Sequence, residues 1–191
     1  MPDDHAARLR ECSGVHPEGL LARGCHYPRM ETAQNTFKRM MREQVAPKLR
    51  VLGFKGSGQK FVLASDSHWA LLGFQRSAWG DSSEGSFTIN LTVVAKQAWE
   101  QSRAERPHRG VSPQANAFEG VPAWEERIGR LMPGDHDQWW KVRAGEQTDE
   151  VASEVMSTVE RYALPEMRRQ IEGSPEARAP LWASEKWKGP R

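Results

Sequence analysis

Two cysteines, Cys12 and Cys25, are the only thiols in 191 residues, and a chain of this size needs no stapling bridge to hold a core. Both are read as reduced. No run approaches the roughly 18 apolar residues of a membrane span, and the N-terminus carries no apolar stretch behind its charges of the kind an export signal needs. The chain is expected to be soluble, unexported and cytoplasmic, with no membrane partner. A charge excess is missing too, since 27 Lys and Arg stand against 25 Asp and Glu for a formal +2. Arg178, Lys186, Lys188 and Arg191 against Glu176 and Glu185 account for that excess within residues 173–191, so the remainder sums to zero. Without a basic footprint, duplex nucleic acid is not an expected partner.

Catalytic signatures are absent as well. There is no nucleophile elbow G-x-S-x-G, no H-E-x-x-H and no dinucleotide-type glycine pattern opening a helix after a strand. The run Gly53-Phe54-Lys55-Gly56-Ser57-Gly58-Gln59-Lys60 spaces its glycines like a phosphate loop. Gln59 stands where such a loop needs Lys, however, and the order is helix then strand, so the run reads as a flexible connector. Cys12, His16, Cys25 and His26 are zinc-ligand types, but neighbours such as Cys25 and His26 struggle to reach one tetrahedral centre. No metal and no cofactor are expected. Asp135-His136-Asp137 is the densest ionisable cluster, yet adjacent side chains on extended backbone point apart, which favours a solvated loop. Glu125 and Glu126, read on a helix, lie about 100° apart and form a solvated face. With only His68, His108 and His136 in the central region, an enzyme would rest on scattered carboxylates, and no catalytic residue is singled out.

What the chain does have is one clean alternation, Ser86-Phe87-Thr88-Ile89-Asn90-Leu91-Thr92-Val93-Val94. It predicts a half-buried strand with Phe87, Ile89, Leu91 and Val93 facing the core and Thr88, Asn90 and Thr92 facing the other side. Upstream, Phe37, Met41, Val45, Leu49 and Leu52 make one apolar stripe of a helix, with Lys38, Arg42, Glu43 and Lys48 on its polar side. Pro47 is expected to kink or restart that helix, and Gly53 to close it. Lys60–Ala64 and His68–Arg76 form a hairpin around Ser65-Asp66-Ser67, and with the alternating strand they make a meander. Lys96–Arg103 and Trp124–Leu131 read as helices, residues 104–123 as loop, and Gln138–Val142 as a fourth strand. Thr148-Asp149-Glu150 signals a capped helix start before the stripe Val151, Val155, Val159 and Tyr162. Pro165 stops or kinks that helix.

The expected architecture is α+β: a small antiparallel meander sheet of about four strands packed by N-terminal and C-terminal helices. Residues 1–30 read as a disordered or loosely attached segment in which Met30 is a second candidate start, 31–172 as a single α+β domain, and 173–191 as a Pro-rich basic tail. Leu181, Trp182 and Trp187 in that tail are candidates to dock on the domain.

The helix ending Leu49–Leu52 before Gly53-Phe54, the strand at Phe61, Phe74-Gln75-Arg76-Ser77, Phe87-Thr88-Ile89-Asn90-Leu91, Trp139-Trp140 and Tyr162-Ala163-Leu164-Pro165 follow one another in a recognisable order. In that order the chain resembles the bacterial domain of unknown function 4304 family over roughly residues 37–171. The resemblance implies a small α+β domain; it supplies no activity and no site residues.

Function is read from the rings. Trp69, Trp79, Trp99, Trp124, Trp139 and Trp140 could be core, since such rings bury large apolar areas, or binding anchors, since Trp and Arg dominate interface hot spots. Trp79 lies in the polar loop after Arg76 and Ser77 and is the leading surface candidate. Arg76, Ser77 and Asn90 at strand ends or on a polar sheet face, with Trp139 and Trp140, complete the candidate binding set. The expected role is a non-enzymatic protein-binding accessory module with a protein partner. A small enzyme using scattered carboxylates, or a single-strand nucleic-acid binder with aromatic platforms in a basic groove, are the alternatives. The sequence carries no signal for oligomeric state.

Overall fold

The computed structural model describes residues 31–78, 80–117, 121, 123–134 and 136–173. The alternating stretch becomes the body of β4 (Glu84–Ala95), a 12-residue strand around which the sheet is laid out. β3 (His68–Arg76) pairs along one edge of it, with Leu72 opposite Leu91, Gly73 opposite Asn90 and Arg76 opposite Phe87. The other edge is shared, because β6 (Trp140–Arg143) pairs with Glu84–Phe87 and β5 (Trp124–Arg127) with Asn90–Val93. β2 (Lys60–Leu63) lies outside β3, and β1 (Phe54–Ser57) outside β2. The fold is α+β, an open antiparallel sheet of six strands with flanking helices, rather than the four strands expected.

The two additional strands have identifiable reasons for being missed. β1 lies inside the run read as a connector: only Phe54 of its four residues is buried, so an edge strand with Gly56 in it carries no alternation. β5 replaces the first half of the helix expected over Trp124–Leu131, and a 3₁₀ turn, Ile128–Leu131, replaces the second. Trp124, Ile128 and Leu131 share a side because strand and 3₁₀ turn are joined in sequence, and a repeat of three along the turn imitates a helical stripe.

The helices follow their stripes closely. α1 (Ala33–Met40) is capped by Thr32, whose hydroxyl accepts from Asn35 N at 3.2 Å. A π-helical turn, Met41–Val45, joins it to α2 (Ala46–Val51). Pro47 sits in the first turn of α2, and its ring crowds the carbonyl four residues back, so the chain widens by one residue there. α3 is Lys96–Glu105. α4 (Asp149–Thr158), a second π turn (Val159–Ala163) and α5 (Leu164–Glu172) repeat the device around Pro165, and Gly173 closes α5 at φ 69°. One cap differs from expectation: α4 begins at Asp149, but Thr148 donates its hydroxyl to Gln44 Oε1 at 2.9 Å, tying the two helical arms together rather than capping. No helix among the described residues is long and apolar enough to cross a membrane.

The two sides of the sheet are built differently. Phe61, Leu72, Phe74, Phe87, Ile89, Leu91 and Val93 pack with Phe37, Met41, Leu49, Val155, Val159 and Met167 into the main core. The opposite side, which carries Thr88, Asn90 and Thr92, is covered as well. α3 covers one end of it, where Val94 and Trp99 form a small apolar cluster with Val121. Residues 111–117 lie across the middle as a strap. Thr88 and Thr92 are buried beneath this cover.

Candidate functional site

The register of β3 positions the site. Arg76 pairs with Phe87 and therefore leaves the sheet on the side where Phe87 enters the core. Its side chain is exposed, with no partner among the described residues. Facing this margin run α1 and α2, on which Lys38, Arg42, Ala46 and Arg50 recur every fourth residue. They sit one position after the buried row Phe37, Met41, Val45 and Leu49, so three cations, with the buried Ala46 among them, border the row that enters the core.

A cleft of about 390 Å³ lies between these helices, Arg76 and the turn Ser57-Gly58-Gln59 that joins β1 to β2. Phe37, Met41 and Ala46 form its floor, Lys38, Arg42, Arg50 and Arg76 its rim, and among the described residues no carboxylate lines it. The aliphatic stems of those four cations add apolar wall beneath the charges. Two of the four are restrained: Arg42 Nη2 pairs with Glu43 at 2.5 Å, and Arg50 Nη2 donates to the carbonyl of Gly56 at 3.1 Å. Lys38, like Arg76, has no partner among the described residues. The opposing wall is rigid, since Gln59 Nε2 donates to the carbonyl of Phe74 at 2.9 Å and Phe74 N donates back to the carbonyl of Gln59 at 2.8 Å. The glycine-rich run therefore serves as a cleft wall, where Gly58 holds φ +61° with open space around it.

Arg76, Gln34 and Phe37 also line a smaller cavity of about 210 Å³ with Ser77 and Asp81. Asp81 is committed to its turn: its carboxylate accepts from Ser83 Oγ, Ser83 N and Glu84 N, which holds it below the usual aspartate range. Ser77 N donates to the carbonyl of Ser86 at 2.8 Å, closing β3 against β4.

Asn90, Trp139 and Trp140 do not join this cleft. Asn90 faces the strap side, donating to Gln75 Oε1 at 2.7 Å and Asn116 Oδ1 at 3.1 Å. Trp140 is core, 3% exposed and stacked on Phe87 at 5.7 Å between centroids. Trp139 is half-buried; its Nε1 donates to Asp137, and the Arg127 guanidinium lies over its ring at 5.5 Å. Trp99 is buried, and Trp69 and Trp124 are partly so. Trp79, Asp135, the Cys12/His16/Cys25/His26 group, Met30, and Leu181, Trp182 and Trp187 lie outside the described residues.

Several carboxylates elsewhere are held by neighbouring donors. Asp137, placed by sequence in an acid–histidine cluster, accepts from Trp139 and from Arg127, and these bonds hold its carboxyl below the usual range. Glu84 is lowered likewise by Lys141 and Arg143. Glu166, fully buried, is held by Arg169 and Gln170. Among the described residues no group of three or more His, Cys, Asp or Glu side chains is placed to hold a metal ion.

Sequence reading placed Lys38 and Arg42 on a polar helix face and left Arg50 unremarked. The legible signal was the spacing of 38, 42 and 50 directly beside the apolar stripe.

The model of the family described as domain of unknown function (DUF4304) matches residues 45–169, from the π turn through most of α5. No curated protein and no solved structure matches the chain. The matched stretch contains the whole sheet and well over half of the sequence, and the chain belongs to the DUF4304 family.

Proposed function

We propose that this chain is a non-enzymatic protein-binding accessory module, and that the cleft between α1–α2 and the β1–β2 turn is where its partner docks. One observation carries the reading: among the described residues four cations ring an apolar floor that no carboxylate lines, and two of the four have no partner. Asp137, Glu84 and Glu166, the carboxylates with the strongest local ties, each bind neighbouring cations or amides, so they do not converge on a shared reaction centre. Among the described residues the aromatic one lining the cleft is Phe37, whose ring at 4% exposure gives little face for stacking bases, which disfavours single-strand nucleic acid.

The test is site-specific photo-cross-linking in the native cell. A photoreactive amino acid at Gln34, exposed on the cleft, is expected to give discrete protein adducts that Arg76→Glu removes. The same group at Val111, 70% exposed on the far strap, should give none. Equal labelling from both positions, or none from Gln34, contradicts the reading.

A further inference from the structure

The geometry points to the chemistry of the docked segment: an acidic stretch of another protein carrying one large apolar side chain. This rests on the binding reading above and goes beyond it. Four rim cations, with no lining carboxylate among the described residues, call for several negative charges, because like charges set at close range repel while complementary ones steer association. The floor sets the second requirement. Phe37, Met41 and Ala46, with the stems of the rim residues, offer apolar contact that a bare acidic chain or inorganic phosphate cannot use. Size sets the third, for about 390 Å³ lies near the bottom of the range of about 300 to 1,000 Å³ found for small-molecule sites. Such a space takes one anchoring side chain of a longer segment. The rim is suited to carboxylates on either side of that anchor, with Arg76 and Arg50 on opposite walls and Lys38 and Arg42 along the helix.

Fluorescence anisotropy with three labelled peptides of equal length tests this on the full chain. The first has Asp and Glu flanking a central Phe, the second the same acids flanking Ser, and the third Lys and Arg flanking Phe. The acidic Phe peptide is expected to bind at least about tenfold more tightly than either control, and more weakly as salt is raised. Arg76→Glu should weaken it about tenfold, and since Arg76 has no partner among the described residues the fold should survive, as a thermal melt will show. Arg50→Glu is the second variant, with Arg106→Glu, exposed beyond α3, as the control that leaves binding unchanged. Equal binding of the three peptides, preference for the basic one, or indifference to Arg76→Glu overturns the inference. If Gln34 cross-links a partner while the acidic Phe peptide fails, the inference falls and the binding reading stands; if both fail, both fall.

Discussion

The two sides of the sheet hold their polar groups in opposite ways. On the strap side the amides of Gln75, Asn90 and Asn116 bond to one another and to the carbonyl of Phe74. On the helix side a large apolar core encloses a few hydrogen-bonded polar residues, Thr36, Glu166 and Gln170, and at its margin Lys38 and Arg76 stand without partners among the described residues. The half-buried Gln75 and Asn90 and the exposed Asn116 thus use their amides to tie the strap to the sheet. Exposed cations gathered round an apolar floor are satisfied by water and remain available to a ligand. The difference separates residues that hold the fold from those free to recognise something.

The largest effect should come from the core side. Leu91→Ala, at the centre of β4 and 1% exposed, is expected to cost about 2 to 5 kcal/mol by denaturant midpoint. Gly73→Val on the strap side should come next, at about 1 to 3 kcal/mol from overpacking. A Cβ on Gly73 would sit 2.3 Å from Asn116 Oδ1 and 2.7 Å from Ala115 Cβ, so hydrogen exchange should quicken in residues 111–117. A loss as large as at Leu91 would mean that the strap belongs to the core. Thr92→Ala, 6% exposed, should cost about 1 to 2 kcal/mol for the methyl and hydroxyl removed. Thr88→Val is expected to be neutral or to stabilise by about 1 kcal/mol, because the Thr88 hydroxyl is buried with no hydrogen-bond partner among the described residues. A clear loss there would reveal a partner for it beneath the strap.

The smallest effect is a matter of pH. Bonds from Trp139 and then Arg127 lower the Asp137 carboxyl, so its contribution is complete above the ordinary aspartate value of 3.8 and is lost as pH falls through the depressed value. The Trp139 indole N–H resonance should therefore titrate below pH 3.8, and a midpoint at or above it would show that the cluster does not hold in solution.

Much of the helix side was legible because it is periodic. Phe87, Ile89, Leu91 and Val93 alternate, Phe37 to Leu49 recur every fourth residue, and each row has one side to bury. The strap side was not legible, since its cover comes from residues 111–117, a loop with no period, and a threonine under a strap looks in sequence like a threonine in water. β5 was hidden by a 3₁₀ turn that continues its stripe. The cleft was half visible: Arg76 was singled out, but its companions lie on a helix about thirty residues earlier, and the register of β3 is what brings the two together.

The most direct test of the cleft is to map amide resonances of the isotope-labelled full chain as the acidic Phe peptide is added. The account expects shifts concentrated at Gln34–Arg50, Gly58, Gln59 and Arg76, with Asn90, Asn116 and Arg127 on the strap side unmoved. Shifts centred on the strap side, or none at the cleft at saturating peptide, would contradict it.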